Sequence, residues 1–287
     1  MAGRAPRRRW TGGRAVALGA AGCLALGALA GCGSSGAATG GPTGGPTGGP
    51  AAVTLVREAA DALVAAGSSK ARTSLEMATG GTRVTIRGEG VYDYRNRLGR
   101  LKVLLPPDPA GQTVRRPITE LLAPGALYMK NRGAGVPADK WVRVDTGTLT
   151  DGNLVTGGAT DPFTAAEVLR GTRSAAFVGR TEVAGTKVRH YRGTADLGQA
   201  ARAASEANRV TLGAAAKGFA TARVPFDVYL DDEGRIRKLR HRFSFVNGPR
   251  AAPVGVASTT LLYDFGVPAD VRLPEDGDIY AGRIAEE

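Results

Sequence analysis

Cysteine and histidine are nearly missing from this chain of 287 residues, which has two of each. Cys23 lies in an apolar stretch that secretion would discard, so the mature chain holds no pair for a disulfide and its fold must rest on its core alone. The histidines, His190 and His241, stand outside metal-ligand spacing of each other and of either cysteine, and no metal or other cofactor is expected. His241 falls on the apolar side of a strand pattern, where a lone histidine is first a core residue. Asp231, Asp232 and Glu233 precede Gly234 between two strand patterns; they read as a hairpin turn and lack the ligand spacing of a calcium loop. Gly88-Glu89-Gly90 and Gly157-Gly158 are not followed by the helix starts that phosphate cradles require. No nucleophile elbow appears, so no catalytic residue is assigned and the chain is expected not to be an enzyme.

Acidic charge is in short supply too, with 26 Asp and Glu against 38 Lys and Arg, a formal net charge of +12. Five of the arginines precede Cys32 and no acid does, so a chain starting at Cys32 keeps +7. The excess is spread over many strand patterns, with no basic stripe and no aromatic platform interleaved with it. Nucleic acid is therefore a poor partner. Attraction to anionic lipid headgroups is the more natural use of such a charge, beside plain solubility.

The first 32 residues carry an address. Arg4, Arg7, Arg8, Arg9 and Arg14 precede an apolar run from Ala15 to Ala30, too short for a stable membrane span and of the right form for a secretory signal. Leu29-Ala30-Gly31-Cys32 resembles the lipobox of bacterial lipoproteins, which implies cleavage before Cys32 and a diacylglyceryl anchor on its sulfur. The residues after the arginine cluster, Trp10, Thr11 and Gly12, do not continue a twin-arginine motif, and general secretion is favoured. The expected location is the outer face of the cell membrane.

Residues 1–31 are thus read as a signal peptide and 32–50 as a lipidated cysteine with a tether. Gly33 to Pro50 repeats Gly-Gly-Pro-Thr and offers nothing for a packed face. By flexible-chain statistics such a leash spans roughly 20–25 Å. Residues 51–287 show no further composition break and form one domain with a sizeable core.

Helical spacing of Val53, Val56, Ala60, Leu63 and Val64 predicts a helix over 51–66, stopped by Gly67. Strand alternation follows at 82–87, 91–94, 100–105, 126–130 and 140–144. Asp161 and Pro162 are the N-cap and first position of a second helix that ends before Gly171. Strands resume at 175–182 and 186–194, a polar helix at 196–208, and a last meander at 224–230, 236–246 and 258–265. One apolar and one wet face per strand is the mark of antiparallel sheet. Alternation turns Val84, Ile86, Leu101, Val103, Val228, Phe243, Phe245, Leu261 and Tyr263 inward.

The order of motifs resembles the LppX/LprG-type lipoproteins of actinobacteria. It runs from the lipobox and tether through Arg72-Thr73-Ser74, Gly88-Glu89-Gly90-Val91-Tyr92-Asp93, Leu127-Tyr128-Met129-Lys130 and Lys140-Trp141-Val142-Arg143-Val144-Asp145 to Asp161-Pro162. The second half adds Val178-Gly179, Tyr191-Arg192-Gly193-Thr194, the run from Pro225 to Gly234, and Tyr263-Asp264-Phe265-Gly266-Val267-Pro268. The resemblance implies an α+β, LolA-like fold: a strongly curved antiparallel sheet, or half-barrel, with helices covering its concave face and an apolar cavity between. It further implies that acyl chains of a lipid or lipoglycan enter that cavity and are carried or presented; the nine inward residues are the candidate lining. An envelope transporter is a further conceivable partner, of unknown identity. The competing reading is an interaction or sensory module with a filled core and no cargo.

Replacing the lipobox cysteine tests the anchor: Cys32→Ser should leave unprocessed precursor and abolish labelling by a fatty-acid analogue, and unchanged labelling would refute it.

Overall fold

The computed structural model describes residues 48–79, 82–106, 116–133, 135–155, 160–246 and 253–282. Cys32, the signal segment, the tether up to residue 47, and Gly157 with Gly158 lie outside the described residues. Helix α1 (Pro50–Ala66) has Gly49 as N-cap and Pro50 at its first position, where the missing N–H of proline costs nothing. Ala52, Val56, Ala59, Ala60 and Leu63 form its buried stripe, and Gly67, at φ 86°, ends it. Gly48 bridges Ala176, so the last three residues read as tether already belong to the fold.

Eleven strands follow: β1 (Ser68–Thr79), β2 (Thr82–Asp93), β3 (Leu98–Leu104), β4 (Ile118–Ala123), β5 (Ala126–Lys130) and β6 (Val142–Asp145), then β7 (Thr172–Val183), β8 (Thr186–Asp196), β9 (Arg223–Leu230), β10 (Ile236–Val246) and β11 (Pro253–Tyr263). All pair antiparallel in one sheet of order β6-β5-β4-β3-β2-β1-β11-β10-β9-β8-β7. Two meanders are therefore joined by their first and last strands, from Lys70 opposite Tyr263 to Ala78 opposite Gly255. Helix α2 (Pro162–Val168) lies between the meanders in sequence; α3 (Leu197–Ala203) and α4 (Glu206–Gly218) follow β8. The fold is α+β, with an open, curved antiparallel sheet. Its curvature lets α1 touch edge strand β7 as well as β10 and β1, while α4 reaches the single turn Thr146–Thr148 after β6.

Close backbone approaches permit the bend. A Cβ on Gly90 would lie 1.8 Å from the carbonyl oxygen of Arg100, and one on Gly193 would lie 1.9 Å from that of Ser174. Any side chain there would push β3 off β2, or β7 off β8. Register shifts in the β7–β8 pair, at Thr172/Ser174 and Phe177/Gly179, add local twist.

Buried residues on one face of the sheet meet the helices. Tyr92, Tyr94 and Phe163 of α2 cluster with ring centroids 5.1–6.4 Å apart. The Asp161 carboxylate caps α2 by accepting from the N–H groups of Phe163 and Thr164 and also accepts from the Tyr92 hydroxyl at 3.3 Å. Burial pushes that carboxyl up to about 6 against the pull of these hydrogen bonds. Glu167, fully buried, accepts from Arg170, from Ser205 N and Oγ, and from Asn208, tying α2 to the break between α3 and α4. The single helix expected over 196–208 is split at this junction. Among the described residues, every buried residue of the hydrophobic core cluster lies between Ala52 and Leu262.

Three sequence expectations change. Strands β1 and β4 were not anticipated. The separate strands 82–87 and 91–94 are one, β2. In β11 the inward positions are Val256, Ser258, Thr260 and Leu262, all buried, which turns Leu261 and Tyr263 outward. Leu261 stands opposite Arg72 and Lys238, and the Tyr263 ring lies under the Arg72 guanidinium at 5.3 Å. The phase is inverted because small hydroxyl residues fill the crowded inner face there: Thr160 and Ser258 share a hydrogen bond of 2.7 Å beneath the helices.

Gly90→Ala should cost about 1–3 kcal/mol through backbone overpacking, whereas Gly255→Ala, whose new methyl meets nothing within 4 Å, should leave thermal unfolding unchanged. Equal effects of the two would remove the steric account of the bend.

Candidate functional site

At the end of the inner face away from Tyr92, an open cleft of about 610 Å³ remains between the sheet and a loop. Val84 and Ile86 of β2, Ile118 of β4, and Leu105 and Pro106 after β3 form its apolar floor; Val136 and Ala138 contribute from the loop after β5. Arg116, Asn131 and Arg132 supply the polar rim. The floor follows from strand pairing, which sets Leu75 opposite Ile86, Met77 opposite Val84, and Val103 opposite both Gly88 and Ile118.

The loop is braced rather than packed. Asn131 adopts a positive φ of 64° and donates from Nδ2 to the carbonyl of Pro117 at 3.2 Å, which holds the loop beside β4. Val136 donates to Gly133 at 3.3 Å and Lys140 to Pro137 at 3.0 Å. Trp141 exchanges backbone hydrogen bonds with the C-terminal segment, donating to Asp278 at 2.9 Å and accepting from Tyr280 at 2.8 Å. The Lys130 ammonium lies 5.3 Å from the centre of the Trp141 ring.

Behind the cleft, one inward position along β4 from Ile118, lies Glu120. It is fully buried, paired across the sheet with Leu101 and Met129. Neither carboxyl oxygen has a hydrogen-bond partner among the described residues. Burial pushes this carboxyl up to about 8, and the charge of Arg132 offsets only part of that rise. A carboxyl of this kind is mostly protonated at neutral pH, so the interior wall behind the floor is polar but uncharged, with Arg116 and Arg132 confined to the rim. The arrangement suits an elongated apolar ligand laid on the floor with a polar end at the rim.

The nine expected lining residues divide by location. Val84 and Ile86 line the cleft. Leu101 and Val103 are fully buried in the sheet behind it, and Val228 is buried among core residues of β8 to β10. Phe243 stacks on Phe219 at 4.9 Å and borders a second depression of about 250 Å³ with Met77 and Val256. The Phe245 side chain lies outside the described residues. Leu261 and Tyr263 are on the opposite face. The structure therefore brings together two of the nine in the cleft and adds Leu105, Ile118, Val136, Arg116 and Arg132, which sequence reading missed. Ile118 was hidden because β4 has apolar residues on both faces, Leu121 and Leu122 side by side, and so lacks alternation. The loop residues carry no periodic signal at all.

The polar clusters elsewhere are structural in form. Burial acts to raise the Asp227 carboxyl, yet hydrogen bonds from Arg192, His190 and Arg242 hold it below the usual carboxylate range. His190 stacks on Tyr229 with centroids 4.2 Å apart. His241 is buried, and burial alone pushes its imidazole down to about 3, so it is neutral in the core. Among the described residues no group of three or more His, Cys, Asp or Glu is placed to hold a metal ion.

Comparison with protein-family models matches none, and no curated protein is similar in sequence. Among solved structures, the chain is similar to the lipoprotein LppX of Mycobacterium tuberculosis, with 10% identity and a TM-score of 0.46 over 78% of this chain and 99% of that one. It is similar to LprF of Mycobacterium bovis, with 13% identity and a TM-score of 0.39 over 80% and 99%. A LolA superfamily protein of Nitrosomonas europaea gives 10% identity and a TM-score of 0.33 over 75% and 94%.

Glu120 has a pH consequence. Its carboxyl is raised in the fold above the ordinary unfolded value of about 4.3, so the folded state binds the extra proton and its stabilising contribution is complete only below that value. Stability should fall as pH rises from about 4.3 through the folded value of about 8. In Glu120→Gln this part of the fall should vanish, as measured by denaturant unfolding between pH 5 and pH 9. Parallel wild-type and variant curves would show that Glu120 is not the buried acid described.

Proposed function

We propose that this chain is a membrane-anchored lipoprotein of the cell envelope that takes an acyl chain of a lipid or lipoglycan into the β2–β4 cleft and carries or presents it without chemical change. The observation that carries this reading is a floor of Val84, Ile86, Leu105 and Ile118 that no side chain among the described residues fills. The cleft volume falls in the range of about 300–1,000 Å³ common for small-molecule sites. Each methylene buried there contributes roughly 0.8 kcal/mol, so several carbons suffice for useful affinity. Transfer demands only reversible burial, and the buried, neutral Glu120 leaves the adjoining wall compatible with hydrocarbon. Anchoring through Cys32, at the outer face of the membrane and on the 32–50 tether, would keep the domain close to a lipid source. This is also the activity that the sequence resemblance implies.

The test pairs a lining residue with a core residue in the domain of residues 48–287. Val84→Trp should fill the cleft, leave thermal unfolding nearly unchanged, and weaken displacement of a fluorescent fatty acid about tenfold, the equivalent of losing roughly two methylenes of burial. Val103→Trp, in the packed sheet behind, should instead cost about 1–3 kcal/mol of stability. A wild-type domain that binds no fatty acid, with both variants equally destabilised, would favour the cargo-free interaction module.

A further inference from the structure

The face of the sheet turned away from the helices collects charges that the linear sequence disperses. On β2 and β3 the residues alternating with inward positions include Arg83, Arg87, Arg100 and Lys102, and all four are exposed. Several other cations of this face are matched: Lys70 with Asp264 at 2.9 Å, Arg240 with Glu76 at 3.6 Å, Arg242 with Asp227 at 3.0 Å, and Arg72, more loosely, with Glu89 at 3.9 Å; Lys238 lies over the Tyr229 ring. Among the described residues none of the β2–β3 quartet forms an ion pair. A period of two in strand geometry thus turns cations scattered over twenty residues into one net-positive patch, in which Glu89 is the acid opposite Lys102, where the sequence showed no basic stripe.

Arg72, Arg87, Lys102 and Leu104 border a shallow groove of about 230 Å³ on this patch, with Glu89 among three cations, and Leu104 is 48% exposed. An acidic protein partner would call for an apolar centre to its interface, and the patch offers a single leucine. A bilayer rich in anionic lipid meets both features, with phosphates for the cations and an acyl boundary for one inserted side chain. We propose that the outer face of β2 and β3 docks the domain on an anionic lipid bilayer, with Arg83, Arg87, Arg100 and Lys102 on headgroup phosphates and Leu104 at the acyl boundary. Leu105, the next residue, lines the cleft. A bilayer seated on this face therefore meets the same strand end that walls the proposed cargo site.

Docking is testable apart from cargo binding, with residues 48–287 and no lipid anchor. In flotation assays the domain should bind vesicles of equal phosphatidylglycerol and phosphatidylcholine, ignore pure phosphatidylcholine vesicles, and dissociate as salt shortens the screening length. Arg87→Ala/Lys102→Ala should weaken vesicle binding about 30-fold at low salt while leaving fatty-acid displacement and thermal unfolding unchanged. Leu104→Ser should weaken binding without altering its salt dependence. Equal binding to neutral vesicles, undiminished binding by the double variant, or preference for an acidic protein over the anionic vesicles would each overturn the proposal. Loss of fatty-acid displacement by the wild type would instead count against the cargo reading alone.

Discussion

An eleven-stranded sheet with one apolar face has to cover that face, and the coverage here is uneven. Helices α1 to α3 pack over β1, β7, β8 and β10, α4 reaches the turn after β6, and α2 reaches the Tyr92 end of β2 through Phe163. At the other end of β2, Val84 and Ile86 meet a braced loop instead of a helix. Burying apolar area at about 25 cal/mol per Å² drives the first arrangement; in the second, among the described residues, the apolar floor borders an open cleft. An apolar surface so placed is the physical basis of the binding reading.

Backbone and polar side chains keep this unevenness in place. Inner-face Gly90 and Gly193 let neighbouring strands close in and bend the sheet around the helices. Asp161 and Glu167 fix α2 by caps and cross-ties rather than by apolar contact alone. Charge is then sorted by side. Buried His241 and Glu120 have pKa values displaced toward their neutral forms, while an excess of arginine and lysine gathers on the outer face. The same alternation that makes the core makes the cationic patch.

Much of the fold was legible in the sequence because strong patterns coincide with strong physics. Asp161-Pro162 marked a helix start by N-cap chemistry, Asp231 to Gly234 a hairpin, and the heptad-like spacing from Val53 to Val64 a helix. Strand β1 was missed because its inward residues, Ser69, Ala71 and Thr73 among them, are small or polar and give alternation no contrast. Inward Ser258 and Thr260 inverted the reading of β11 for the same reason, sending Leu261 and Tyr263 to the wrong side. The cleft was half legible. Val84 and Ile86 were named from alternation, but Arg116, Arg132 and Val136 come from connections whose placement depends on long-range pairing with Pro117 and the C-terminal segment.

The central claim is that the β2–β4 cleft holds an apolar chain in the native protein. Mass spectrometry of organic extracts from the gently purified domain tests it most directly, with Ile86→Trp purified in parallel. The account predicts one acyl-bearing class near one mole per mole of wild type and its loss from the variant. Extracts free of lipid, or the same lipid at the same amount in both proteins, would contradict it.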